Sequence, residues 1–328
     1  MTPDRMGTRV LGRSGLRVSE MCLGTMTFGT QWSLGTDERS SADIYTAYRE
    51  AGGNFVDTAN LYANGQSESI LGRLVAKDRD AVVLSTKYGM PSDPADPNSA
   101  GSHRKNLRHS VETSLRRLDT DYLDLLWVHA WDRCTAPEET LRALDDLVRS
   151  GKVLALGVCN TPAWVVARSA AIAEVRGWSV FCGVQVEYSL VSRTAERELL
   201  PMAEAFGLTV CAWSPLARGL LAGKRSDHAE TAPVVRRALA VTREIADELE
   251  TTPARVALAW VRRRGLIPTI GARTVEQVRD NLGALDVRLD ADHVARLDDA
   301  TRIRLGYPHE FLDQRAALLT PEGLAARR

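Results

Sequence analysis

Short apolar runs and helical stretches alternate eight times along this chain. That alternation restricts the fold more than any other feature. The runs are residues 21–24, 55–57, 82–85, 123–128, 153–158, 184–186, 209–213 and 266–270. Between them lie segments of helical periodicity at 42–51, 68–74, 104–118, 137–150, 195–206, 234–250 and 253–264, and a last one running from 274 to about 285. Residues 104–118 put Leu107, Val111, Leu115 and Leu118 on one face. Helix starts are marked by Thr135-x-x-Glu138 and Thr274-x-x-Gln277, which read as capping boxes. Thr161-Pro162 and Thr252-Pro253 place proline at a first helical position. Strands alternating with helices imply a parallel sheet. Eight such units within 328 residues imply a (β/α)8 TIM barrel rather than an open sheet. A doubly wound sheet carries a glycine-rich fingerprint after its first strand, and Gly24-Thr25-Met26-Thr27-Phe28-Gly29 does not supply one.

Residues 8–19 read as a β-hairpin turning at Gly12-Arg13-Ser14-Gly15, suited to cap the bottom of the barrel. An extra helix near 290–302 and a tail to Arg328 lie outside the eight units. No linker is visible, so residues 1–328 read as one domain.

The 42 basic and 42 acidic residues balance, which argues against a nucleic-acid or membrane-surface partner. No apolar run approaches the ~18 residues of a membrane span. The N-terminus has no apolar leader, so a cytoplasmic location is expected. Five scattered cysteines form no CxxC pair. Cys22, Cys182 and Cys211 read as core thiols of a reducing compartment, and no metal is expected.

Chemistry in such a barrel sits at the C-terminal ends of the strands. Those ends carry Asp57 with Tyr62 in the following loop, then Lys87, His129, Cys159-Asn160, Gln185, Trp213-Ser214-Pro215 and Gly271-Ala272-Arg273. Each has an ordinary reading alone: a helix cap, a solvated lysine, a structural histidine. Together, Asp57, Tyr62, Lys87 and His129 face one cavity from three successive strands. A phenol is a weak acid, with an ordinary pKa of about 10. Lys87 beside Tyr62 is expected to lower it. Asp57 would keep Lys87 charged, Tyr62 would exchange a proton with a carbonyl oxygen, and His129 would orient that oxygen. A hydride source has to come from outside the protein.

These residues resemble the aldo-keto reductase superfamily over nearly the whole chain. The resemblance is carried by Leu23-Gly24-Thr25-Met26, Phe55-Val56-Asp57-Thr58-Ala59 with Tyr62, Ser67-Glu68-x-x-Leu71-Gly72, Ser85-Thr86-Lys87, Val128-His129 and Gly157-Val158-Cys159-Asn160. It continues through Gln185-x-Glu187-Tyr188, Trp213-Ser214-Pro215-Leu216 and Gly271-Ala272-Arg273 with Gln277 and Asn281. His129-Ala130-Trp131-Asp132 and Asn160-Thr161-Pro162-Ala163-Trp164 look most like the aryl-alcohol dehydrogenase branch.

The resemblance implies NADPH/NADP+ lying extended across the barrel mouth, an aldehyde or ketone as substrate, and a catalytic tetrad of Asp57, Tyr62, Lys87 and His129. It implies a nicotinamide near Gly24, Thr25, Met26 and Asp57, held by Cys159, Asn160 and Gln185 and stacked on Trp213. The pyrophosphate would run along Ser214, Pro215, Leu216 and Gly219 with Lys224 nearby. The 2′-phosphate end would lie beside Gly271, Arg273, Gln277 and Asn281. Arg273 precedes a helix N-terminus, where an anion is favoured. Cys159 stands where serine is usual in the family, Trp213 where tyrosine is frequent, and Gln277 where arginine is frequent. A substrate pocket lined by Phe28, Trp32, Tyr88, Trp131 and Trp164, with the segment 307–312, would suit a flat aromatic substrate. A ketosugar substrate, a slow NADPH-binding regulatory subunit like those of potassium channels, and a non-redox barrel are the competing readings. A homo-oligomer is compatible with the sequence.

Overall fold

The computed structural model describes residues 6–93, 95–223 and 232–319. Strands β1 (Thr8–Val10) and β2 (Arg17–Ser19) pair antiparallel, Thr8 against Ser19. Gly12 in their turn has φ +52, and a Cβ there would lie 1.9 Å from the Cys182 carbonyl oxygen, so only glycine lets the hairpin close on the barrel floor. Its N–H donates to Thr209 Oγ1 at 2.7 Å. Leu11 and Val18 are fully buried and join the barrel interior from below. The hairpin therefore caps the bottom, as its position in the sequence implies.

The barrel strands are β3 (Cys22–Gly24), β4 (Phe55–Asp57), β5 (Val83–Tyr88), β6 (Leu123–Val128), β7 (Val153–Cys159), β8 (Phe181–Glu187), β9 (Thr209–Trp213) and β10 (Ile267–Ile270). All pair parallel in that order, and β10 closes on β3 through Thr269 and Cys22. The apolar runs are buried on both faces, which a parallel sheet wrapped by helices requires. Trp127 on β6 points inward and fills the interior. A Cβ on Gly157 of β7 would lie 2.2 Å from its ring, and one on Gly183 of β8 would lie 3.3 Å away. The two glycines make room for the indole.

The outer layer comprises α1 (Glu38–Glu50), α2 (Gln66–Val75), α3 (Arg104–Leu118), α4 (Pro137–Arg149), α5 (Ala163–Arg176), α6 (Leu199–Ala205), α7 (Pro233–Glu248), α8 (Pro253–Arg263) and α9 (Val275–Leu282). Both α7 and α8 lie between β9 and β10. Helix α10 (Ala291–Thr301) is the extra one, opened by a capping box of Asp290 and His293. It is moored by Trp260, whose indole N–H donates to Asp298 at 3.1 Å, and by buried Arg193, which donates to Thr301 Oγ1 at 2.8 Å. Among the described residues no helix is long and apolar enough to cross a membrane.

Four local expectations need correction. Thr135 does not cap α4; its N–H and hydroxyl turn back to Asp132, and Ala136 occupies the N-cap. Pro162 is the N-cap of α5 rather than its first residue. The stretch 195–206 is broken into a 3-10 turn at Thr194–Glu196 and the seven-residue α6. Pro201 has no N–H to reach the Arg197 carbonyl, so a continuous helix cannot form there. Finally, Thr274 does accept from Gln277 N–H at 3.4 Å, but the Gln277 side chain accepts from the N–H of Arg273, one residue before the cap.

Candidate active site

Asp57 ends β4, and its partner across the ladder is Ser85 on β5. Lys87 is two residues beyond Ser85 and shares its face, because side chains alternate along a strand. The Lys87 ammonium binds Asp57 Oδ2 and donates to the Thr58 carbonyl at 2.8 Å. Ser85 donates to Asp57 Oδ1 at 2.6 Å, and the Gln185 amide donates to Oδ2 at 3.2 Å. Lys87 and Asp57 are 1% and 2% exposed, so this pair is shielded from water and salt. Burial alone would push the Lys87 pKa down. The carboxylate of Asp57, with Tyr62 and Cys159, more than offsets that and holds the ammonium above its ordinary value.

Thr86, between Ser85 and Lys87, faces the other way. Its hydroxyl donates to buried Glu68 at 2.7 Å, and Arg117 pairs with the same carboxylate at 3.2 Å. Arg117 also donates to the Asn60 carbonyl at 2.8 Å. Asn60 begins the turn that presents Tyr62, where Ala63, Asn64 and Gly65 all have positive φ. A Cβ on Gly65 would meet the Arg117 guanidinium at 2.1 Å, so glycine is needed for that clamp. In this way Glu68 of α2 and Arg117 of α3 hold the tyrosine loop over the strand ends.

Tyr62 then sits above the pair, with Lys87 Nζ 5.0 Å from its ring centroid. Burial raises the phenol above its ordinary value, and Lys87 opposes this without overcoming it. The expectation of a lowered tyrosine pKa is therefore corrected: burial penalises the phenolate more than Lys87 favours it.

His129 follows β6 directly, and its backbone N–H donates to the Tyr88 carbonyl at 2.8 Å. Its ring meets the Tyr62 ring edge-on, with centroids 6.1 Å apart. Burial, and secondarily Lys87, depress its pKa to about 3, so the imidazole is neutral at pH 7. Its Nδ1 is buried and has no hydrogen-bond partner. An unpaired polar atom of this kind is costly unless a ligand meets it. Asp57, Lys87, Tyr62 and His129 thus lie together at one end of the barrel.

The expected cofactor residues divide into several groups. Asn160, at φ +46, donates to the His129 carbonyl at 2.9 Å and accepts from the Trp213 indole at 3.1 Å, tying three strand ends together. Gln185 is 3% exposed and already engaged with Asp57. Thr25 is buried, and its N–H donates to the Asp57 carbonyl at 2.9 Å. A Cβ on Gly24 would lie 2.9 Å from Thr269 Cγ2, so its glycine serves packing between β3 and β10. Met26 is exposed. After β9, Ser214, Ala217, Arg218 and Gly219 all have positive φ, while Pro215 is buried and Leu216 packs on the core. Arg273 is exposed beside the N-terminus of α9. Asn281 donates to the Gly271 carbonyl at 3.2 Å, so it and Gln277 brace the loop after β10. Lys224 lies outside the described residues.

Two groups of expectations change. Cys159 is 1% exposed and belongs to the interior cluster with Trp127, Cys22 and Cys211. Its thiol therefore has no surface to offer a carboxamide, and burial pushes its pKa up. Phe28 and Tyr88 are also core residues, 0% and 1% exposed, rather than pocket walls. Large aromatic side chains bury readily, and a position at or beyond a strand end does not reveal it. Trp32 stays at the mouth, edge-on to Tyr62 at 6.1 Å. Trp131 is partly exposed and edge-on to exposed Trp164 at 5.5 Å. Tyr307 is largely exposed.

Of the supporting residues, Ser85 and Glu68 stand in the sequence motifs without a role, and Arg117 does not appear there. Ser85 was detectable, since its spacing of two from Lys87 puts both on one face. Arg117 gave no local signal, because its partners lie more than forty residues away.

Comparison with known proteins places similar sequences beside this fold. The aldo/keto reductase family model matches residues 20–302. A norsolorinic acid reductase of Aspergillus flavus is 39% identical over 323 residues, covering 93% of this chain and 83% of that protein. An uncharacterized oxidoreductase of Bacillus subtilis is 41% identical, covering 88% of this chain and 94% of that protein. An aryl-alcohol dehydrogenase of Pestalotiopsis microspora is 34% identical, covering 91% of this chain and 83% of that protein.

Proposed function

The chain belongs to the aldo/keto reductase family, and from that premise we propose that it reduces an aldehyde or ketone to an alcohol with NADPH, Tyr62 serving as proton donor. The observation that carries this reading is the buried Asp57–Lys87 pair beneath Tyr62, beside an uncharged His129 with an unpaired ring nitrogen. The residues at the mouth suit a nicotinamide dinucleotide. Trp213 is partly open for stacking, the backbone with left-handed Ser214, Ala217, Arg218 and Gly219 turns along the rim, and Arg273 stands exposed at a helix N-terminus. The bound cofactor supplies the hydride.

The protein's own part is proton management. A carbonyl oxygen within reach of both Tyr62 and His129 accepts a hydrogen bond from the neutral imidazole, which orients it and stabilises its growing negative charge. The phenol gives up its proton to that oxygen as the alcohol forms. The resulting phenolate lies against the Lys87 ammonium, whose charge Asp57 maintains. Ser85 and Gln185 keep Asp57 from turning away.

Aromatic side chains at the mouth, and relatives named for an aryl alcohol and for norsolorinic acid, favour an aromatic carbonyl substrate. The test is a set of aromatic aldehydes, ketosugars and quinones assayed by loss of NADPH absorbance, alongside fluorescence titration with NADPH and NADH. Turnover of an aromatic carbonyl is expected. Absence of NADPH quenching together with absence of turnover would refute the reading.

A further inference from the structure

Three residues past the catalytic histidine, Asp132 gathers four hydrogen bonds on one carboxylate. Its Oδ1 accepts from the N–H groups of Cys134 at 2.9 Å and Thr135 at 2.8 Å. Its Oδ2 accepts from the Ser102 N–H at 2.6 Å and the Thr135 hydroxyl at 2.6 Å. Three of these bonds close the loop after β6 on itself. The fourth crosses to a different loop, the one between β5 and α3, where Ser102 precedes His103, the N-cap of α3. The Ser102 carbonyl in turn accepts from Tyr88 at 3.4 Å and from Thr140 of α4 at 3.3 Å. A Cβ on Gly101 would come within 2.9 Å of Asp132 Oδ2, so glycine there lets the two loops meet.

Trp131 is bonded directly to this knot, and Arg133 just after it takes φ +63. Bends at residues 130 and 133–135 flank the indole on either side. The side-chain contacts of Trp131 are weak by comparison. It meets Trp164 edge-on at 5.5 Å, and the Arg133 guanidinium is 6.0 Å from its ring. One edge-on aromatic pair is weaker than a hydrogen bond to a charged group, and Asp132 accepts four of the latter. The carboxylate therefore decides where the backbone places the indole. Three strands away around the barrel, Trp32 stands against Tyr62 in the loop after β3.

We propose that Asp132 is a positioning residue for substrate specificity: by knotting the loops after β5 and β6 it fixes Trp131 at the barrel mouth, as a wall for flat aromatic carbonyl substrates. This rests on the carbonyl-reductase reading above. Asp132 touches no reacting atom. Its effect appears in discrimination between substrates rather than in the proton transfer by Tyr62.

The experiment compares kcat/KM for naphthaldehyde and butanal with NADPH in the full-length enzyme. In Asp132→Ala the ratio of naphthaldehyde to butanal falls about tenfold, through KM for naphthaldehyde. If Asp132 acts through Trp131, the double variant with Trp131→Ala discriminates no worse than Trp131→Ala alone. Additive losses, or equal losses on both aldehydes, would overturn the proposal. A second readout is independent of turnover. In protein labelled with fluorotryptophan, the Trp131 fluorine resonance is identified by its absence in Trp131→Phe. Asp132→Ala shifts and broadens that resonance, and an unmoved line would refute the positioning role. Thr135→Ala removes one of the four bonds while keeping the carboxylate. It gives a smaller shift in the same direction and replaces Asp132→Ala should that variant not fold. If the wild type neither turns over any carbonyl of the wider panel nor quenches with NADPH, the reductase reading fails by itself, and the fluorine line still judges the role of Asp132.

Discussion

Ser85 donates its hydroxyl to Asp57 Oδ1 at 2.6 Å, on the opposite carboxylate oxygen from the one that holds Lys87. The carboxylate is thereby fixed from two sides, and with it the ammonium under Tyr62. Removing the Ser85 hydroxyl leaves a buried charged acceptor short of one bond. Ser85→Ala should cost about 1.5–3 kcal/mol of stability in urea denaturation. An unchanged denaturation midpoint would mean that the bond carries no weight.

Tyr62→Phe removes the hydroxyl that the proposed reaction uses as proton donor and little else, since the ring and its contacts remain. Carbonyl reduction should fall by a factor on the order of 10²–10⁴. The NADPH dissociation constant, read by fluorescence quenching, should stay close to wild type. Weakened NADPH binding with retained turnover would sink the assignment. Because the Tyr62 pKa is raised, the phenol is protonated at neutral pH, so reduction needs no deprotonation. Alcohol oxidation requires the phenolate, and its rate should climb as pH is raised well above neutral.

The depressed pKa of His129 makes two pH predictions. The imidazole stays neutral from pH 7 down to about 3, so the reduction profile should show no inflection near the ordinary histidine value. An inflection that disappears in His129→Gln would contradict this. For stability the sign is fixed by proton uptake. The unfolded chain protonates this histidine below an ordinary pKa of about 6.5, and the folded protein does so only near 3. The unfolded state thus binds more protons in that window, and the His129 contribution makes stability fall as pH drops through it. His129→Gln should flatten that part of the stability profile.

Gly157 tests the packing of the barrel. An alanine Cβ there would lie 2.2 Å from the Trp127 ring, which must then move within a filled interior. Gly157→Ala should destabilise by about 1–3 kcal/mol and lower Tm, and adding Trp127→Leu should recover part of the loss. An unaltered Tm in the single variant would show that Trp127 is less tightly held than its contacts indicate.

Arg273 tests the proposed cofactor site. A guanidinium on a phosphate contributes about 1.5–3 kcal/mol, roughly tenfold or more in affinity. Arg273→Ala should raise the NADPH dissociation constant by that factor and leave the NADH value nearly unchanged. Equal effects on the two would remove the phosphate role.

The amino-acid sequence by itself determined the barrel, because the alternation of apolar runs with amphipathic helices admits one arrangement at this length. It also determined that Asp57, Tyr62, Lys87 and His129 share a rim, since each follows or ends a strand and all strands of a parallel barrel end on the same side. The hairpin cap was legible for a similar reason: a turn of glycines between short strands is a local signal.

The tertiary structure decided the rest, and the reason is that these properties depend on neighbours distant in the chain. Whether Tyr62 titrates high or low is a contest between burial and Lys87, and only the packed site shows that burial prevails. Cys159, Phe28 and Tyr88 sit at positions that read as rim or pocket, but packing directs their side chains into the core. Thr135 matches a capping box in sequence, yet Asp132 competes for it with a carboxylate and wins. Asp132 and Ser102 are thirty residues apart, and no local pattern joins them. Strand order and strand ends are local information; the hydrogen bonds that aim side chains between those ends are not.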